Sequence, residues 1–149
     1  MVLIKQHAAA STLVAGGLFV ISGSWQMAAA SLVSGVLVDV DHTVEYAVEH
    51  GISWDFKRFL HLVYEAKYKR VFYLLHGWEW LAVGLIAVSA TGWTAWGSGL
   101  LVGYGQHLLL DQFGNRGTFW SYSLLWRWKQ GFDHGRCFPA RADDLTDTG

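Results

Sequence analysis

Eight imidazole and carboxylate side chains are grouped in this sequence as metal ligands would be. They are His7, then Asp39, Asp41 and His42 in the run Asp39-Val40-Asp41-His42, then His76 with Glu79, and last His107 with Asp111. His107 and Asp111 are four apart and His76 and Glu79 three apart, so on a helix each pair shares a face and can point at a common centre. Asp39 and His42 also share a face, whereas Asp41 is about 200° round from Asp39 in a regular helix and reaches the same centre only where the helix frays. Imidazole and carboxylate without thiolate suit zinc, manganese or iron, and the set is large enough for one or two ions. A site with an open coordination position polarises a phosphoryl or carbonyl oxygen and supplies hydroxide near neutral pH, which is the chemistry of hydrolysis. Taken singly, each group has an ordinary explanation: His7 as an interfacial anchor, Asp41 and His42 as helix caps, His76 and Glu79 as a hydrogen-bonded pair, Asp111 as a counter-charge to Arg116. Their joint placement is what points to metal.

That placement comes from four apolar segments, roughly 8–22, 26–38, 71–90 and 94–110. A spanning helix needs about 20 mostly apolar residues, so the last two qualify. The first two are short unless they extend through their polar ends, over 7–24 and 25–41, or form a shallow hairpin that does not fully cross. If the four cross a membrane in alternating directions, all the polar ends meet at one face, where ionisable groups so near hydrocarbon are costly unless they serve a site. Composition supports a membrane setting: 52% hydrophobic residues, 15% charged residues and nine tryptophans among 149 residues. Few charges are left to coat a water-facing surface, and tryptophan is enriched where lipid meets water. The expected fold is therefore all-α, an integral membrane four-helix bundle in a single domain over residues 1–140.

Loop charges orient the bundle. Lys5 precedes the first segment, Lys57, Arg58, Lys67, Lys69 and Arg70 lie between the second and third, and Arg116, Arg127, Lys129, Arg136 and Arg141 follow the fourth. The short connections near Gly23 and Gly92 carry no Lys or Arg. The positive-inside rule then puts both termini, the long loop and the ligand cluster on the cytoplasmic side of the cell's inner membrane. A competing reading treats Lys5, the first apolar run and Ser22-Gly23-Ser24 as a cleaved signal peptide, which would discard His7.

Between the second and third segments, Ser53 or Asp55 is placed to cap an amphipathic helix with Phe56, Phe59, Leu60, Val63 and Tyr64 on its apolar side. It suits the headgroup layer as an additional interfacial helix, or equally a surface helix packed on the bundle. The aromatic and basic stretch from Phe119 to Trp128 also reads as interfacial, and the polar tail 141–149 as disordered. Gly99 and Gly103 have the small-xxx-small spacing that lets helix backbones approach closely in lipid. A net charge of -1 with eleven Lys and Arg provides no broad basic surface for nucleic acid, so the expected partner is membrane lipid. The single cysteine, Cys137, excludes an internal disulfide and a multi-cysteine zinc site.

These residues resemble the membrane-bound metal-dependent hydrolases, a family that includes LexA-binding inner-membrane-associated hydrolases. The resemblance covers roughly residues 5–135 and rests on the early His7, the Asp-x-Asp-His run at 39–42, His76, and Gly103-Tyr104-Gly105-Gln106-His107 leading to Asp111. One departure is plain: many members carry a further histidine in His-Arg-Gly-x-x-His, where this chain has Val71, and here His76 is followed by Glu79 instead. What the resemblance implies is a divalent metal, zinc first, with manganese or iron as alternatives. Glu79 would then be a substitute ligand or the catalytic base, with Asp41 in a catalytic role beside it. Distant similarity to zinc-dependent phospholipase C and to all-helical zinc nucleases implies phosphoester or phospholipid-like substrates, with Arg70 or Arg116 holding a phosphate oxygen. That similarity is a fold-level analogy. Two other classes stay open. One is a di-iron-type membrane oxidoreductase, although the paired Glu-x-x-His motifs of that chemistry are absent. The other is a non-enzymatic metal-binding membrane protein.

Overall fold

The computed structural model describes residues 2–51, 69–115 and 117–139. The amphipathic helix expected at 53–64, Arg116 and the tail 141–149 lie outside the described residues. Within them the protein is all-helical, with one isolated antiparallel bridge between Arg70 and Asp133.

Helix α1 runs Ile4–Ser22 and ends where Gly23 takes the left-handed conformation (φ 66°), its N–H returning to the Phe19 carbonyl. A side chain is disfavoured at that backbone angle, so glycine sets the tight turn. Ser24 then caps α2, Trp25–Leu37, its hydroxyl accepting from the Met27 N–H at 3.2 Å. Beyond α2 the chain stays helical: a 3₁₀ turn over Val38–Asp41 leads directly into α3, His42–His50. Residues 71–77 are not helical, and α4 begins only at Trp78, running to Ala90. After a turn through Gly92 (φ 79°) and Trp93 (φ 55°), Thr94 caps α5, Ala95–Gly114. A 3₁₀ turn, Phe119–Tyr122, and two short helices, α6 Leu124–Lys129 and α7 His134–Cys137, complete the described chain.

Two helical stretches are long and apolar enough to cross a membrane: Ile4–Ser22 and the continuous Trp25–Val48. Trp78–Ala90 is apolar but shorter. For the first three segments this reverses the lengths expected from hydropathy, while α5 keeps the length expected of the fourth, at 20 residues. The second segment gains length because the Asp-x-Asp-His run tightens the helix without ending it. The third loses length because Tyr73 (φ 38°) breaks the helical path and the N-capping Gly77 is extended.

The main packing is α2 against α5, with α1 on α2 and α4 on α5. Glycine decides how near α2 and α5 come. A Cβ at Gly103 would sit 2.0 Å from the Ser31 carbonyl oxygen, and one at Gly99 2.3 Å from that of Met27. Small residues therefore form a seam that brings the two backbones together, as the spacing of Gly99 and Gly103 implies. The same face of α5 continues at four-residue intervals into His107 and Asp111, both buried. On α1 the buried face reads His7, Ser11, Ala15, again at intervals of four. Each helix thus contributes small residues along most of its buried stripe and ligand-type residues at one end.

Many large apolar side chains point outward, among them Ile21 (87% exposed), Phe113 (83%) and Ile86 (71%). Gly103→Ala is expected to lower stability by about 1–3 kcal/mol, since the new methyl meets backbone that cannot yield. Gly105→Ala is the control, because its Cβ would meet only the Leu81 side chain at 3.6 Å. Thermal unfolding in detergent of the two variants checks the contrast; equal melting temperatures would contradict the seam.

Candidate metal centre

His7, Asp41, His42, His76, His107 and Asp111 are all buried, and the Asp39 side chain retains only 11% of its exposure. They converge at the end of the bundle where α1 starts, α2 tightens, α4 is entered and α5 ends. His76 Nε2 and His107 Nε2 lie 3.1 Å apart. Asp111 Oδ2 is 3.3 Å from the first and 3.4 Å from the second. Ligand atoms held ~2.0–2.1 Å from a tetrahedral ion are spaced ~3.3–3.4 Å from one another, so this triangle has the dimensions of one face of such a site. Asp39 Oδ1 stands 3.5 Å from both imidazole nitrogens. His7 joins from α1, its Nε2 3.1 Å from Asp111 Oδ1 and its ring stacked on His107 at 3.9 Å.

The far nitrogens of the two central rings are already engaged. His107 Nδ1 is 2.8 Å from the Gly35 carbonyl oxygen, which only accepts, so this nitrogen carries the proton. His76 Nδ1 faces the Asp41 carboxylate at 3.0 and 3.1 Å and donates in the same way. When both rings are neutral, their Nε2 atoms therefore present lone pairs to each other across 3.1 Å. That contact is repulsive unless a cation or a proton lies between them. Outer partners of this kind fix the tautomer and orientation of metal-binding histidines.

The Asp-x-Asp-His run works as a cradle. In a 3₁₀ turn residues three apart eclipse, so Asp39 and His42 stack on one side, with His42 Nε2 3.5 Å from Asp39 Oδ1. Asp41 is turned away from Asp39, and the two carboxylates address opposite nitrogens of the same His76 ring. Asp41 thus reaches the cluster without any fraying.

His76 is delivered by a segment without regular structure, and distant side chains hold that segment in place. Arg127, fully buried, donates from Nη2 to the carbonyls of Tyr73 (2.7 Å) and His76 (2.9 Å) and from Nη1 to that of Ser121 (3.3 Å). The Tyr104 hydroxyl lies 2.6 Å from the Leu75 carbonyl and 2.8 Å from that of Gly77. Asp41 Oδ2 accepts the Leu75 N–H at 2.7 Å. Glu45 accepts the Tyr73 N–H through one carboxylate oxygen.

Two expectations need correction. Glu79 is not in the cluster: its carboxylate accepts from the Ser123 hydroxyl and from the N–H groups of Leu124 and Leu125, anchoring the start of α6. The three-residue spacing from His76 has no helical meaning because His76 precedes the helix. Arg127 belongs to the stretch expected at the interface, yet it is wholly buried, although Phe119, Trp120, Leu125 and Trp128 around it are exposed. Arg70 is exposed, and its backbone pairs with Asp133, the residue that caps α7. Sequence reasoning also passes over Glu45, 1% exposed. Its spacing, four beyond Asp41 and three beyond His42, becomes readable once the helix is known to continue. Asn115 completes the surround by bridging Asp111 Oδ1 (2.8 Å) and the Tyr122 hydroxyl (2.7 Å).

Burial alone would pull the His76 pKa down, but hydrogen bonds to Asp111, Asp39 and Asp41 outweigh it and raise the pKa well above the ordinary histidine value. A metal ion must therefore displace a proton that these carboxylates hold firmly. Zinc binding is expected to strengthen as pH rises and to release protons. Isothermal titration in buffers of different ionisation enthalpy reads this directly, and pH-independent affinity would contradict it. Separately, Arg127→Met is expected to cost roughly 3 kcal/mol and to weaken zinc binding by loosening the segment that carries His76. Unchanged melting and unchanged affinity would show that the clamp is dispensable.

No protein-family model, no curated protein and no solved structure matches this chain. In the geometry above, several His, Asp and Glu groupings could hold a metal ion.

Proposed function

We propose that this protein is a membrane-embedded, metal-dependent hydrolase of phosphoesters or phospholipid-like molecules, akin to the membrane-bound metal-dependent hydrolases its motifs resemble. The observation that carries the reading is the pair of Nε2 lone pairs 3.1 Å apart, with Asp111 completing a triangle of ligand size. Two imidazoles and one carboxylate that leave a coordination position open are the donor set of catalytic zinc sites, whereas structural sites are closed by four protein ligands. Zinc fits this nitrogen and oxygen set best.

When bound, a divalent ion supplies Lewis-acid polarisation of a phosphoryl oxygen and lowers the pKa of a coordinated water. The residues supply the rest. His76, His107 and Asp111 hold the ion, and His7 buttresses Asp111 and the His107 ring. Asp39 takes the place of Glu79 and Asp41 as base: its Oδ1 is beside both imidazoles, and its Oδ2 is buried without a hydrogen-bond partner, placed to receive a proton. Asp41 is a positioning residue that fixes the His76 tautomer.

The membrane setting is supported by the outward-facing apolar side chains of α1, α4 and α5 and by the two helices of spanning length. We place α1, α2, α4 and α5 as a four-helix membrane bundle, with the centre at the cytoplasmic boundary of the inner membrane, where the positive-inside rule puts the basic loops. A lipid-like substrate is favoured by a groove of about 610 Å³ between the start of α1 and the end of α5. Val2, Leu109, Leu110 and Phe113 line it together with Gln6 and Gln106, neighbours in sequence of His7 and His107. An apolar groove carrying two amides beside a metal centre suits an acyl chain joined to a polar head.

The test uses the full chain purified in detergent, loaded with zinc and offered phospholipids and phosphomonoesters. Release of phosphate or headgroup is expected, abolished by a chelator and restored by zinc. His107→Ala should lose both ion and turnover, and Asp39→Asn should lower kcat at least about a hundredfold, the scale of general-base catalysis. Zinc-replete protein that turns over none of these substrates, or an Asp39→Asn variant at full rate, would overturn the proposal. An optical spectrum that changes on exposure of anaerobic protein to oxygen would point to iron redox chemistry instead.

A further inference from the structure

On the outer side of the same cradle, two buried polar atoms on neighbouring residues have no hydrogen-bond partner, His42 Nδ1 and Glu45 Oε2, and beside them Asp41 offers Oδ1, whose one neighbour is His76 Nδ1 at 3.0 Å. The residues offer ligand atoms lying within 4.8 Å of one another, and all three side chains are buried. His42 Nδ1 and Glu45 Oε2 are 3.7 Å apart. A buried carboxylate oxygen or imidazole nitrogen left unpaired costs about 1–3 kcal/mol, and two such atoms facing each other share a single remedy. Glu45 is a buried carboxylate whose other oxygen is already committed to the Tyr73 N–H.

We infer a second divalent-cation site formed by Asp41, His42 and Glu45, separate from the His76–His107–Asp111 centre and joined to it through the Asp41–His76 and His42–Asp39 contacts. The tautomers are consistent with this. His42 Nε2 faces Asp39 Oδ1 at 3.5 Å and carries the proton, which leaves Nδ1 as the ligand atom. Both Asp41 oxygens face His76 Nδ1, but only Oδ2 also accepts the Leu75 N–H, so Oδ1 keeps a lone pair for an ion. Charge is matched at each centre. Asp39 and Asp111 lie at the first and Asp41 and Glu45 at the second, so two carboxylates meet each doubly charged ion while the imidazoles remain neutral. His42 is then a ligand of the outer ion rather than of the central one. Two oxygens and one nitrogen leave positions for water or for a substrate oxygen, the arrangement that two-metal phosphoester hydrolases exploit.

The inference rests on the metal-centre reading, and zinc stoichiometry separates the two. Full-length protein, stripped with a chelator and loaded with zinc alone, is expected to retain two ions per chain by elemental analysis. Glu45→Gln keeps an acceptor for the Tyr73 N–H and should retain one ion with its melting temperature nearly unchanged. His42→Phe keeps the edge contact with the Tyr73 ring, now 4.8 Å between centroids, and should also retain one. His107→Ala should retain the outer ion alone. One ion in the wild type, lost in His107→Ala and kept in Glu45→Gln, would overturn the second site and leave the proposed hydrolase standing. Two ions in Glu45→Gln would likewise overturn it, reducing Glu45 to a support for His42.

Discussion

Two imidazole nitrogens turned toward each other across 3.1 Å are the constraint on which the structure depends. Each ring is locked by a donation from its opposite side, so neither can rotate to relieve the contact without abandoning a buried partner. The partner of His107 is a backbone carbonyl, that of Gly35, and a carbonyl on α2 reaches a ring on α5 only if the two helices nearly touch. The glycine seam meets that condition. Gly99 and Gly103 have no Cβ to collide with α2, and Gly35 itself is so crowded that a Cβ there would lie 2.4 Å from the Ser11 hydroxyl oxygen. Close packing of the kind that holds helices together in lipid thus also sets the tautomer and orientation of the His107 ring.

The second ring depends on a different device. His76 comes from a segment with no internal ladder of hydrogen bonds, and its backbone groups are satisfied from outside. Arg127, Tyr104, Asp41 and Glu45 together tie down Tyr73, Leu75, His76 and Gly77. Arg127 is itself positioned by α6, whose first turn is anchored on the Glu79 carboxylate. A chain of contacts therefore runs from Glu79 through α6 and Arg127 to His76. Glu79 influences the metal centre as a foundation, although it never enters it.

What the sequence reveals and what it hides divide along the same line. His7, Ser11 and Ala15, and Gly99, Gly103, His107 and Asp111, recur at intervals of four, and a regular helix puts each set on one face; that much is local and legible. The convergence of Asp39, His76, His107 and Asp111 is likewise readable from segment order. The conformation of residues 71–77 is not, because it is imposed by side chains 27 to 54 positions away in sequence, and apolar Val71, Phe72, Leu74 and Leu75 imitate the start of a helix. Taking that imitation at face value makes His76 and Glu79 a pair. Glu45 was hidden for the opposite reason: the aspartates look like the polar end of a segment, so a helical spacing that continues past them goes unused. The arithmetic of a 3₁₀ turn, not of an α-helix or a frayed end, lets Asp39 and Asp41 grip the two sides of one ring.

Charge adds a further step. Asp39, Asp41, Glu45 and Asp111 are gathered at the end of an apolar bundle, and the nearby buried cation, Arg127, spends its hydrogen bonds on carbonyls. Four carboxylates in so small and poorly solvated a volume repel one another strongly, and the fold has two ways to answer. Protons taken up by the histidines neutralise the cluster but extinguish the lone pairs that make them ligands. Divalent ions neutralise it and use those lone pairs. The folded state therefore needs positive charge at this place whatever reaction occurs there, and proton and metal compete for the same role. Such a cluster would couple stability to any divalent ion it holds, since the acidic groups that repel one another when bare are the ones that would attract it.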